Sequence, residues 1–258
     1  MKTPFFVLLA SVGLACGSTP QTSAEPRSVD PSTESPTMPN TRTLTLRPDH
    51  VYEVTGIWIR DGQAQAMSDY FGRVFPIAAA DYGVRPLFGL EPIHVYRGDF
   101  HPNMMFVNEW PSLDAFQGFV SDARAVALFP ERDAAAERLV VTHYEVPQET
   151  TIELSEGDVI EFGAMWIKPG HEQDFRAYYE TVVPLARRHG MQPLTPLRPV
   201  FSYRGEFEPT GAGLNWWGTL DAFQAFAREA EPHFPTRDAA LSRLEVTHAR
   251  VRLNEGET

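Results

Sequence analysis

A single cysteine, Cys16, is the whole thiol content of the 258 residues. One thiol excludes an intrachain disulfide and a cysteine-rich metal site. Basic residues are few: 22 Lys and Arg stand against 34 Asp and Glu, for a formal net charge of −12. That excess of acid argues against a nucleic-acid partner, because phosphate binding needs a positive surface. No apolar run is long enough to cross a bilayer; the longest near the start, Phe5 to Ala15, falls well short. The sequence also lacks a phosphate-binding Gly-rich loop, a zinc motif and a Ser–His–Asp signature. No metal and no cofactor are expected. What remains is 43% hydrophobic and 12% aromatic, which suits a packed globular body of one large or two small domains.

The first 16 residues read as an export signal, with Lys2 supplying positive charge ahead of the short apolar run. The run ends in Gly13-Leu14-Ala15-Cys16, followed by Gly17-Ser18. A lone cysteine there resembles a bacterial lipoprotein signal, although Gly13 stands where such signals favour Leu. The resemblance implies a diacylated Cys16 as the mature N-terminus and a membrane as partner through its lipid. It places the chain in the bacterial cell envelope, towards the outer membrane where there are two, since no Asp follows the cysteine. The alternative is an ordinary signal peptide with an incidental cysteine. Residues 17–47 are dominated by Ser, Thr, Pro and Glu, with Pro20, Pro26, Pro31, Pro36 and Pro39 spaced along them. Such a segment cannot bury enough surface to offset its ordering entropy, so it is expected to be a disordered tether.

The remainder contains an internal repeat. Val51-Tyr52-Glu53-Val54-Thr55-Gly56-Ile57-Trp58-Ile59 matches Val159-Ile160-Glu161-Phe162-Gly163-Ala164-Met165-Trp166-Ile167. Tyr96-Arg97-Gly98 recurs as Tyr203-Arg204-Gly205, and Leu113-Asp114-Ala115-Phe116-Gln117 as Leu220-Asp221-Ala222-Phe223-Gln224. Phe129-Pro130 with Arg132-Asp133-Ala134-Ala135 recurs as Phe234-Pro235 with Arg237-Asp238-Ala239-Ala240, and Thr142-His143 as Thr247-His248. The order is kept throughout. Residues 48–150 and 151–258 are therefore expected to be two copies of one domain, joined by a short polar linker at about 148–157.

Each copy shows the same grammar. A strand at 51–59 (159–167) is followed by a helix with Met67, Tyr70, Phe71, Val74 and Ile77 in a stripe, repeated as Phe175, Tyr178, Tyr179, Val182 and Leu185. Two strands come next, at 92–97 and 104–110 in the first copy. A second helix starts at the N-caps Ser112 or Thr219, and a short helical piece surrounds Arg132 or Arg237. The last strand covers 139–146 or 244–251. The pattern is βαββαβ, an α+β ferredoxin-like arrangement. In the first strand Tyr52, Val54, Gly56 and Trp58 share a wholly apolar side, which is expected to meet the helices. The opposite side carries Glu53 among apolar groups and would be buried by two sheets facing each other.

Ferredoxin-like units of this size that pair sheet-to-sheet resemble the dimeric α/β-barrel superfamily. The first strand with Lys168-Pro169-Gly170, and Trp217-Gly218-Thr219-Leu220-Asp221-Ala222-Phe223 entering the second helix, look like a NIPSNAP-like or antibiotic-biosynthesis-monooxygenase-like barrel. The resemblance implies an intrachain pseudo-dimeric α/β barrel, monomeric as a molecule. The superfamily spans several chemistries, so it constrains fold more than activity.

His143 and His248 occupy one position near the end of the last strand, suited to a general base or a ligand. The first and last strands of this arrangement are neighbours, which brings Glu53 diagonally near His143 and Glu161 near His248. Such a carboxylate–histidine pair orients a base, helps to bind a metal, or is a buried hydrogen-bonded pair. Asn108 and Trp110, matched by Asn215 and Trp217, share a face of the third strand and would either hold a substrate oxygen or anchor the second helix. Trp58 and Trp166 add aromatic surface for an apolar ligand. Arg132-Asp133 and Arg237-Asp238 read as anion clamps or as local ion pairs. His94 has Phe201 as its counterpart, so it is not a repeated histidine.

The reading is an exported, lipid-anchored tandem barrel, leaning away from catalysis and towards a small apolar ligand. Its rivals are a cofactor-free monooxygenase or isomerase using His143, His248, Asn108 and Asn215, and an interaction module whose acidic surface docks a basic partner. The anchor is testable. Cys16→Ser should move the protein from the detergent phase to the aqueous phase on detergent partition; identical partition of the two forms would overturn lipidation.

Overall fold

The computed structural model describes residues 40–253; the expected export signal with Cys16 and most of the expected tether lie outside the described residues. The elements are β1 (Thr41–Leu46), β2 (Val51–Ile59), α1 (Ala64–Tyr82), β3 (Arg85–Arg97), β4 (Met104–Trp110), α2 (Leu113–Ser121), α3 (Ala123–Val126), α4 (Phe129–Ala135) and β5 (Ala136–Glu145). They continue with β6 (Thr150–Ser155), β7 (Val159–Ile167), α5 (Glu172–Arg188), β8 (Gln192–Arg204), β9 (Gly211–Trp216), α6 (Leu220–Ala230), α7 (Phe234–Ala240) and β10 (Leu241–Arg252). The second half repeats the strand order of the first and the placing of its main helices. The helices start where the caps direct: Ser112 Oγ accepts the Ala115 N–H at 3.1 Å, and Thr219 Oγ1 accepts that of Ala222 at 3.2 Å.

Eight strands close one antiparallel barrel within the chain, in the order β10-β3-β4-β2-β5-β8-β9-β7. Closure depends on β3 and β8, each 13 residues long. Arg85–Leu90 of β3 pairs with β4 of its own half, and Gly89–Arg97 pairs with β10 of the other. β8 does the same, meeting β9 of its own half and then β5 of the other. Local pattern marks the first of these strands only at 92–97, because Pro86 and Pro92 interrupt it. Both prolines lie beside irregularities in register, where a missing N–H is tolerated.

The two faces of β2 and β7 are the reverse of the sequence expectation. Tyr52 and Val54, with Ile160, Phe162 and Ala164, fill the barrel interior rather than meeting the helices. Val51 and Ile57 pack under α1 instead, against Met67, Tyr70, Val74 and Ala78. Period-two spacing separates the faces of a strand but does not say which is inside. Closure decides it: the interior of an eight-stranded barrel is filled by side chains alone, and the uninterrupted apolar face fits it. At the centre Phe100 and Phe207, from equivalent loops, pack with centroids 4.8 Å apart. Gly56 makes room for them, since a Cβ there would lie 2.7 Å from the Phe100 ring. Thr142 and Thr247 fix the two loops by donating their hydroxyls to the Phe207 and Phe100 carbonyls. Tyr179, placed by spacing in the buried stripe of α5, is exposed.

Residues 41–46, assigned by composition to the tether, form β1, and the supposed linker holds β6. The two pair antiparallel from Thr41 opposite Ser155 to Leu46 opposite Thr150. Alternation explains the strands: Leu44, Leu46, Ile152 and Leu154 all point into the barrel cluster, while Thr43, Thr45, Thr151 and Glu153 face the other way. The ladder thus plugs one end of the barrel. Leu154 is fully buried, so Leu154→Ala should cost about 2–5 kcal/mol in urea unfolding. A solvated connector at this position would show a change within about 0.5 kcal/mol.

Candidate functional site

Register brings three strands together on the helix-facing side of the sheet. Glu53 on β2 lies opposite Asn108 on β4 and opposite His143 on β5. The expected diagonal placement is therefore a direct one. In the second half Glu161 on β7 lies opposite Asn215 on β9 and His248 on β10. Trp110 and Trp217 follow two residues after each Asn, just before α2 and α6, and their indoles turn back to the same carboxylates.

A buried carboxylate is costly unless donors replace its water. Glu53 has three, with an imidazole beside them. Thr55 Oγ1 donates to Oε1 at 2.7 Å and Asn108 Nδ2 to the same atom at 3.1 Å. The Trp110 indole N–H donates to Oε2 at 2.9 Å, and His143 Nε2 stands 3.6 Å from that oxygen. Around Glu161, Asn215 and Trp217 each donate at 2.9 Å, and His248 Nε2 lies 3.5 Å away. Burial pushes both carboxyl pKa values up, but the histidine and the hydrogen-bond donors outweigh it and hold both below the ordinary carboxylate value. Both groups are thus ionised at neutral pH. The two histidine rings are wholly buried, each against a phenylalanine, Phe116 or Phe223, with centroids 3.9 Å apart.

Between the sheet and the helices of the first half lies a pocket of about 80 Å³. Glu53, Thr55 and Asn108 form its polar floor; Tyr70, Phe71, Phe106, Trp110 and Phe119 are among its walls. Tyr203 of β8 completes it from the other half, its ring 5.2 Å from Phe116. Arg132 of α4 reaches the same pocket with its guanidinium 4.5 Å from the Phe129 ring. Its Nε donates to Asp133 at 2.8 Å, as that of Arg237 does to Asp238 at 2.9 Å. These arginines accordingly form local ion pairs. Burial pushes the Tyr70 hydroxyl up to about 12 against the opposing pull of Arg132, so it remains a donor at neutral pH.

The structure thus brings together Glu53, His143, Asn108 and Trp110, and separately Glu161, His248, Asn215 and Trp217. It does not bring Trp58 or Trp166 to either group. Both pack on the barrel interior, with Arg138 and Arg243 lying 4.4 and 4.5 Å over their rings. Sequence reasoning missed Thr55, which parity with Glu53 marks, and also Phe201 and Tyr203. No local pattern marks the last two, because β8 enters the first half only through barrel closure.

No family model matches the sequence, and no curated protein does. Among solved structures, the chain is similar to an anthrone oxidase-like protein at a TM-score of 0.56, with 12% identity over 82% of this chain and 95% of that one. It is also similar to a cyanide-bound variant of chlorite dismutase from Candidatus Nitrospira defluvii, at 0.52, with 10% identity over 80% and 92% of the two chains. The fold is that of the dimeric α/β barrels. At these identities the likeness concerns architecture alone.

The depressed carboxyls set a pH dependence. A group whose folded pKa lies below its unfolded value, ordinarily near 4.5, adds stability above that value and loses it as pH falls through the folded pKa. Stability of the wild type should therefore drop below about pH 4.5, and Glu53→Gln with Glu161→Gln should flatten that drop. Urea midpoints measured between about pH 3 and 7 check it; parallel profiles would contradict the assignment.

Proposed function

We propose that the chain is held at a membrane through a lipidated Cys16 and displays a barrel that binds a small, mainly apolar molecule in the first-half pocket. The observation carrying this reading is the pocket itself: aromatic walls over one polar floor, the usual make-up of a small-molecule site. Its volume is several times the roughly 10–15 Å³ that one water requires, which leaves room for a small organic group rather than a single water. Asn108 spends its amide donor on Glu53, and among the described residues its carbonyl oxygen has no donor of its own. That oxygen is the natural acceptor for a ligand hydroxyl.

A second reading, a cofactor-free oxygenase or isomerase, draws support from His143. Neither of its buried ring nitrogens has a hydrogen bond of normal geometry, and Nε2 faces the ionised Glu53. A histidine so placed is available to take a proton from an activated substrate. The anthrone oxidase-like protein shares the fold, which makes oxygen uptake with phenolic substrates the assay that separates catalysis from binding.

Calorimetric titration of the full chain with 4-methylphenol tests the ligand reading. Removing a neutral hydrogen bond costs about 0.5–1.5 kcal/mol, so Asn108→Ala, which deletes the acceptor for the ligand hydroxyl, should weaken binding about two- to tenfold. Val74→Phe, which fills the pocket from α1, should abolish it. Equal affinities in wild type and both variants would overturn the reading.

A further inference from the structure

The two carboxylate clusters differ in what the crossing strand delivers. In the first half β8 sets Phe201 opposite His143; in the second, β3 sets His94 opposite His248. The Nδ1 atoms of His94 and His248 lie 3.3 Å apart, and His248 Nε2 lies 3.5 Å from Glu161 Oε2. Two Nδ1 atoms at that distance bond only if one carries a proton and the other is bare. His248 Nε2 has no hydrogen bond of normal geometry, but the ionised Glu161 carboxylate beside it favours the proton on Nε2, which leaves Nδ1 to accept. His94 is then the Nδ1–H tautomer, and its Nε2 lone pair is left bare on a ring that is only half-buried.

A second difference opens the cluster. Gly163 stands where the first half has Thr55, so Glu161 has no hydroxyl donor from that position. The Glu161 side chain is 14% exposed against 9% for Glu53. Beside the pair, Phe223 and Tyr96 present aromatic surface, with Phe223 6.3 Å from His94 and 4.9 Å from Tyr96.

We propose that Glu161, His248 and His94 form a proton relay in the second half, with His94 Nε2 as the base towards the hydroxyl of a small phenol or enol. The ligand O–H bond breaks, its electron pair stays on the ligand oxygen, and the proton forms an N–H bond at His94 Nε2. The histidine pair then carries one positive charge, offset by Glu161, which stays ionised. Neither oxidant nor metal enters the step. Burial, and secondarily the neighbouring His248, hold the His94 pKa below the ordinary histidine value, so the base is neutral and ready at physiological pH. The other ionisable groups near the cluster are Tyr96, Tyr178, Tyr179, Arg187 and Arg237, the last paired with Asp238.

Two measurements on the full chain test the relay. In long-range proton–nitrogen NMR spectra, His94 should appear as the Nδ1–H tautomer and His248 as the Nε2–H tautomer; the reverse assignment overturns the proposal. With 4-nitrophenol as probe, the phenolate absorbance of bound dye should appear about one pH unit below that of free dye, a tenfold change in ionisation. His94→Phe, which copies the first half, should return it to the free value. His94→Gln, which can bond His248 but cannot take the proton, should do the same. Glu161→Gln should shrink the shift while leaving dye binding intact, as expected of a positioning residue. Absence of dye binding, or the same shift in wild type and the His94 variants, overturns the proposal.

Discussion

β3 and β8 each hydrogen-bond to strands of both halves, and this shared pairing is what the rest of the architecture depends on. Without it there would be two open sheets, each exposing Tyr52 and Val54 or Phe162 to water. With it, the apolar face of each sheet has a lining partner, and Phe100 meets Phe207 at the centre. The same crossing makes each cluster composite: Phe201 and Tyr203 reach the first half, His94 and Tyr96 the second. Each carboxylate group is assembled within one half, but its aromatic and histidine neighbours come from the other, so stability and site geometry are coupled through the same hydrogen-bond ladders.

The carboxylates illustrate how a costly group becomes a fixed feature. Removing Glu53 or Glu161 from water is tolerable only because an indole, an amide and an imidazole converge on it, and those depend on three strands at one register. A slip of one residue in any of these strands would turn the donors to the opposite face. The clusters thus report correct register in both halves. The first keeps Thr55 and a phenylalanine neighbour and lies beneath an apolar pocket. The second exchanges them for Gly163 and His94, and its carboxylate is the more exposed of the two.

Much of this is legible in the residue order. The matched segments carry the βαββαβ order, the N-caps Ser112 and Thr219, and the pairing of Glu53 with His143, because these depend on local spacing and on adjacency of the first and last strands. Which face of β2 turns inward is not legible, since Val51 and Tyr52 are both apolar and only closure chooses between them. β1 hides behind a Ser/Thr/Pro-rich composition, because Leu44 and Leu46 alone supply its buried apolar side chains and two residues barely change the average. His94 has no repeated partner, so a search for matched residues passes over it. Its importance lies in being unrepeated, a property visible only once β3 is seen to cross.

A closed barrel also limits how other proteins can attach. Strands join partners through unpaired N–H and C=O groups along a sheet edge, and closure of the eight strands leaves such an edge only where a strand pairs on one side, as along 91–97 of β3 and 198–204 of β8. Among the described residues β1 and β6, paired with each other alone, also keep an open side. Both are six residues long, and Glu153 sets a charge on the outward face of β6. A partner could add a strand at the plugged end of the barrel, beside Thr41.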